Sequence, residues 1–183
     1  GRAGWNLVAS NNDADALNYC RDEHLAHADR YERANEFADV VNGLWDCWDP
    51  DAFLRDKESG VFFDPSKVHV LDHKGKHFKV RGPLNVARSP QGRPVLVQAG
   101  ASGTGRDVAA RLAELVFTAQ TTIEQGKEFY SDVMARLPKF GRTPQEVKVM
   151  PGFYPVVGRT EAEAKEKFDY LQSLIQPSVG LAI

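Results

Sequence analysis

An α/β chain built on a parallel sheet is what this sequence predicts, and three features predict it. Short apolar runs alternate with amphipathic stretches along most of the chain. The opening run Gly4 to Ser10 (GWNLVAS) is strand-like yet has no hairpin partner beside it, so it must pair with a segment brought from elsewhere. The clearest junction, Arg93 to Glu114 (RPVLVQAGASGTGRDVAARLAE), reads strand, glycine turn, helix.

Taken in order, the opening strand ends in the polar cluster Ser10-Asn11-Asn12-Asp13. Polar residues at the C-terminal end of such a strand are where α/β folds put ligand groups. Asn6 inside the strand is an amide that needs partners if buried, and bonding to neighbouring backbone is its plain alternative. Asp13 to Tyr19 reads as a polar connector, and His24 to Val41 as a helix with Leu25, Tyr31, Ala34, Phe37, Ala38 and Val41 on one side. Trp45 and Trp48 extend its apolar face as core or interface anchors, and Asp49-Pro50-Asp51 ends it.

From Asp64 to Arg88 the pattern changes. His69 to Val80 reads as two strands around a Lys-Gly turn, an exposed hairpin within an insertion spanning about residues 50–92. His69, His73 and His77 are not expected to converge on a metal, because the hairpin separates them. The insertion fits a lid, a subunit interface or a solvated loop. Beyond the central strand and helix, Leu115 to Ala119 is a strand, Ile123 to Leu137 a helix, and Lys148 to Val157 an edge strand interrupted by two prolines. Thr160-Glu161-Ala162-Glu163 is a capping box opening a helix through Leu174, which Pro177 ends before the apolar tail Ser178 to Ile183.

About four βα units and a hairpin insertion result, and with right-handed crossovers they make part of a TIM (β/α)8 barrel or one small open sheet. The opening strand and the apolar tail favour the barrel segment. Exposed sheet edges then predict self-association, a homo-oligomer.

Composition narrows the function. The 183 residues are 42% hydrophobic and 26% charged with a formal charge of −2, an ordinary globular balance. There is no basic field for a nucleic acid and no span for a membrane. Cys20 and Cys47, far apart and without CxxC spacing, read as reduced structural thiols in a cytoplasmic protein. The first residue, Gly1, is not a natural start, so the chain is expected to be cut from a longer one.

The glycine turn is the first candidate site. A helix that starts at such a turn presents unpaired N–H groups and the positive end of its dipole, which is an anion site. Ser102 and Thr104 add hydroxyls, and Arg106 a charge able to fork onto a phosphate. An ordinary βα loop with Thr104 as N-cap explains the same residues. The spacing GxxGxG is neither a P-loop nor a convincing dinucleotide fingerprint. A second wall comes from the early helix, where His27 and Tyr31 lie four apart on one face with Arg30 beside them, although a lone helical histidine is more often structural.

The runs Gly4 to Ser10, His27 to Ala34 (HADRYERA), Leu44-Trp45-Asp46, His77 to Leu84 (HFKVRGPL) and Gln98 to Ser102 resemble the bacterial-luciferase-like flavin monooxygenases. Within them the resemblance is to the nitrilotriacetate monooxygenase component A and dibenzothiophene-sulfone monooxygenase subgroup. It covers essentially the whole chain, with the motifs in the same order.

The resemblance implies a TIM-barrel oxygenase component that takes reduced FMN from a separate NAD(P)H:flavin reductase. It would bind O2 and oxygenate a small organic or xenobiotic substrate through a flavin C4a-peroxide. Carried over, Ser102 would hold the flavin phosphate with backbone help from Ala101 and Gly103, together with Tyr31 and His27 or Arg30. Asn6, Val8 and Ser10 would lie along the ribityl chain and ring. The resemblance departs at Ala9, where many members of that family have Thr, so a hydroxyl is missing there. The family's first strands and its barrel-closing strand are not in this sequence, so residues 1–183 are expected to be a single central segment of the domain. Two alternatives stand beside this reading, a barrel oxidoreductase using deazaflavin F420 and a non-catalytic fragment that packs with another chain. No catalytic dyad is expected, since the oxygen transfer belongs to the cofactor.

Overall fold

Four short strands from widely separated parts of the sequence line up in parallel. The computed structural model describes residues 2–10 and 12–180; Asn11 of the polar cluster and the last three residues of the apolar tail lie outside them. Strand β1 (Gly4–Asn6) is followed by α1 (Asp13–Leu17) and α2 (His27–Trp45). A two-residue hairpin, β2 (His73–Lys74) and β3 (Lys79–Val80), precedes β4 (Val95–Gln98), α3 (Gly103–Leu112), β5 (Leu115–Thr118), α4 (Ile123–Arg136) and β6 (Lys148–Pro151). The sheet order is β1-β4-β5-β6, every pair parallel. This is the succession of βα units that builds a (β/α)8 barrel, with the hairpin inserted between the first and second units.

Registered residues of parallel neighbours share a face, and here that divides the sheet in two. Trp5 faces Leu96, and Gln98, Val116 and Val149 line up beyond them. This face is covered by helices. Leu7, Ala38 and Val108 form one buried cluster, with Trp5, Tyr31 and Leu112 packed against it. Ala109, Ala110, Ala113, Val116, Phe129, Val133, Leu137 and Val147 form another between α3, α4 and β5. Full burial of Val116, Val133 and Leu137 contributes about 1.5–3 kcal/mol each. On the opposite face Asn6, Val97 and Leu115 share a row, Phe117 pairs with Met150, and Phe117 and Met150 are exposed.

Several expectations are corrected. Asp13–Leu17 is helical, because the Asn12 side chain caps it by accepting from the Ala14 N–H. The second helix starts at His27 and runs to Trp45. Trp48 lies beyond it, buried against Phe53 and Phe63, with its Nε1 donating to the Leu84 carbonyl at 2.8 Å. Cys47 is buried with its Sγ on the Gly43 carbonyl, whereas Cys20 is exposed.

The hairpin is not a free-standing solvated ribbon. Glu36 of α2 accepts from the backbone N–H groups of His77 and Phe78 at 2.9 and 2.8 Å and bonds the His73 ring at 2.9 Å. Burial works against the Glu36 charge, but these three donors outweigh it and hold its carboxyl at about 2. Lys76 adds a pair to Glu32, and His69 turns to Asp49.

Residues 152–180 form a separate compact unit. In it α5 (Glu161–Ser173) is capped by Thr160, whose side chain accepts from the Glu163 N–H, while the Glu163 carboxylate accepts from the Arg159 N–H rather than closing the box on Thr160. The helix ends at Ser173, and Pro177 opens the short α6 (Pro177–Gly180) instead of ending α5.

Candidate functional site

Helix α3 begins where β4 ends, and two glycines make the joint. A Cβ on Gly100 would lie 2.8 Å from the Gly105 Cα, and one on Gly105 would lie 2.8 Å from the Gly100 Cα. The loop therefore folds back onto the first helical turn at a distance only two glycines allow. Above Gly103 the opposite holds, since a Cβ there would meet nothing within 4 Å.

Ser102, not Thr104, is the N-cap; its Oγ accepts from the Gly105 N–H at 3.1 Å. The N–H groups of Ser102, Gly103 and Thr104 have no partner among the described residues, and all three residues are exposed. The Ser102 hydroxyl hydrogen is left to donate outward. Unpaired amides, a hydroxyl and a helix dipole beside open space can hold a phosphoryl group.

Arg106 does not complete that site, which corrects the sequence expectation. Its Nε donates to the Ala101 carbonyl at 3.0 Å, its NH1 bonds Asp132 at 2.8 Å, and its guanidinium lies over Phe129. Arg136 of α4 joins in, with contacts to Asp132, Asp107 and the Gly103 carbonyl. The Arg106 hydrogen bond, opposed by burial and joined by Arg136, holds the Asp132 carboxyl below its ordinary range.

The second candidate wall reaches the same end of the sheet. Trp5 stacks edge-on against Trp45, while Leu7 at the other end of the strand clusters with Ala38 and Tyr31, so α2 runs antiparallel to β1 and starts at the strand's C-terminal end. Asn35 accepts from Arg111 at 2.9 Å. His27 and Gly103 each lie eight residues before that bonded pair on parallel helices, about 12 Å back along both axes. Thus His27 and Tyr31, with ring centroids 4.7 Å apart, are on the side of the molecule where Ala101, Ser102 and Gly103 lie. His27 is exposed and α2 has no side-chain cap, so its first amides are also free of one. Arg30 is half-buried and its Nε has no partner among the described residues.

Asn6 and Val8 are exposed, and Asn6 needs no protein partner for its amide, contrary to the buried-strand expectation. Asn6 lies on the face opposite the one that α2, α3 and α4 cover. Ser10 is turned away to donate to Asp15 of α1. The sequence-selected residues therefore form two groups at one sheet end, with Asn6 on the open face and Ser10 committed to α1. Sequence reasoning missed Asp132 and Arg136; their only local signal is the four-residue spacing of an acid and an arginine on one helix.

The family model described as luciferase-like monooxygenase matches residues 1–179. Nitrilotriacetate monooxygenase component A from Aminobacter aminovorans is 54% identical over 181 residues, 99% of this chain and 40% of that protein. Dibenzothiophene-sulfone monooxygenase from Rhodococcus erythropolis is 47% identical over 182 residues, covering 100% of this chain and 40% of that protein. Among solved structures, that of riboflavin lyase (RcaE) with modified FMN and substrate riboflavin superposes with a TM-score of 0.89 at 36% identity, covering 96% of this chain and 39% of that one. The chain spans about 40% of the length of these curated relatives.

Proposed function

Because this chain belongs to the luciferase-like monooxygenase family, we propose that it forms the phosphate-binding side of the flavin site in an FMN-dependent monooxygenase. The observation that carries the reading is the α3 N-terminus, where three unpaired amides and the Ser102 hydroxyl border open space over Gly103. Ser102, Gly103 and the Ala101 turn take the phosphate from one side. Tyr31, with His27 or Arg30, takes it from the other. Asn6 and Val8 line the path of the ribityl chain and ring; Ser10 joins them only if its hydroxyl leaves Asp15.

When bound and reduced, FMN supplies the electrons that activate O2 for insertion of one oxygen atom into a small organic substrate. This chain's residues bind and orient it. A separate NAD(P)H:flavin reductase supplies the reduced cofactor, a reading supported by a relative whose name makes it component A of its enzyme. The apolar open face, with Val97, Leu115, Phe117 and Met150, keeps water from the reacting end once it is enclosed.

The test is a fluorescence titration of the full-length protein with FMN and with riboflavin, which lacks the phosphate. FMN binding at least about tenfold tighter supports the reading, since charge-assisted hydrogen bonds contribute about 1.5–3 kcal/mol each. Equal affinity for the two flavins overturns it.

A further inference from the structure

The Ser102 amide, which faces open space at the start of α3, owes its direction to a group on the far side of the loop. In a trans peptide the C=O and the next N–H point opposite ways. Whatever grips the Ala101 carbonyl therefore aims the Ser102 N–H, whereas the Gly103 carbonyl, inside α3, is aimed by its own helical bond from the Asp107 N–H. Arg106 Nε holds the Ala101 carbonyl at 3.0 Å, and Arg136 NH1 adds a contact to the Gly103 carbonyl at 3.1 Å. The Ala101 carbonyl lies outside the helix, so no helical hydrogen bond fixes it.

Asp132 joins the two grips. Its Oδ2 accepts from Arg106 NH1 at 2.8 Å, and its two oxygens accept from Arg136 Nε at 3.1 and 3.2 Å. Arg136 is further braced by Asp107 at 2.9 Å, and Lys139 approaches Asp107 at 3.7 Å. The Asp132 and Arg136 side chains are about a third exposed or less. We propose that Asp132 is a positioning residue for anion binding, setting Arg106, with Arg136 bracing the pair, so that the Arg106 hold on the Ala101 carbonyl turns the Ser102 amide toward a phosphoryl ligand.

The proposal rests on the phosphate reading of this loop. Electrostatics and positioning predict opposite signs for one substitution. Removing a negative charge near a phosphate tightens binding by Coulomb's law. Removing the carboxylate that sets the arginines weakens it.

The experiment measures FMN and riboflavin dissociation constants for full-length wild type, Asp132→Asn, Arg106→Lys and Ser102→Asp, with a thermal melt for each. Asp132→Asn is expected to weaken FMN binding about tenfold, as for one charge-assisted bond lost, with riboflavin changed less than about twofold. Unchanged or tighter FMN binding, or equal losses for both flavins, overturns the proposal. Should Asp132→Asn fail to fold, Arg106→Lys, which keeps the charge but loses the fork that reaches both Asp132 and the Ala101 carbonyl, decides by the same FMN-selective loss. Ser102→Asp separates the two levels. If it selectively weakens FMN while Asp132→Asn does not, the positioning role falls and the phosphate site stands. If it leaves FMN unaffected, the phosphate reading falls first.

Discussion

Replacing Ser102 with Asp separates the fold's use of this position from its use in binding. The wild-type Oγ caps α3 by accepting from the Gly105 N–H at 3.1 Å. Asp is as good a cap and its charge suits a helix N-terminus, so thermal stability should change by less than about 0.5 kcal/mol. The same carboxylate then occupies the edge of the space over Gly103 where a phosphate would sit. At about 5 Å from a doubly charged phosphate, repulsion is about 1.7 kcal/mol even with water's full screening, a loss of about fifteenfold. Losing the hydroxyl donor adds to that. Titrating the full-length protein with FMN and riboflavin, beside a melt, should give a selective FMN loss at unchanged melting temperature. A parallel loss for both flavins, or none for either, refutes a phosphate at this helix end.

Tyr31→Phe should weaken FMN by about 1 kcal/mol and spare riboflavin in the same titration, and equal changes would remove Tyr31 from the phosphate site. Gly105→Ala forces a Cβ to 2.8 Å from the Gly100 Cα and should cost about 1–3 kcal/mol in a urea melt, whereas Gly103→Ala, with nothing within 4 Å, should not destabilise. Glu36, held at about 2 against an ordinary 4.5, favours the folded state above pH 4.5, and that contribution disappears as pH falls toward 2. Glu36→Gln should therefore lower the melting temperature at pH 7 and make no difference near pH 2. A difference that persists at pH 2 contradicts the hairpin anchor.

The strand, turn and helix from Val95 to Leu112 were legible because their determinants are local: an apolar run, glycines and a cap within a few residues. The same locality made the four parallel strands readable. What escaped was set by partners distant in sequence. Arg106 looked like a phosphate ligand by proximity, but its partner Asp132 lies 26 residues on and claims the charge. The hairpin looked solvated because Glu36, 41 residues before His77, gives no local sign that it will accept two hairpin amides. The helix at Asp13 was missed for a different reason, since a five-residue helix held by an Asn cap is too short to show an apolar period.

A crystal structure of the full-length protein with FMN measures the central claim directly. Phosphate oxygens within about 3 Å of the Gly103 and Thr104 amides and the Ser102 hydroxyl, with Tyr31 on the opposite side, are the expected result. A phosphate bound beyond hydrogen-bonding reach of the α3 N-terminus would contradict it.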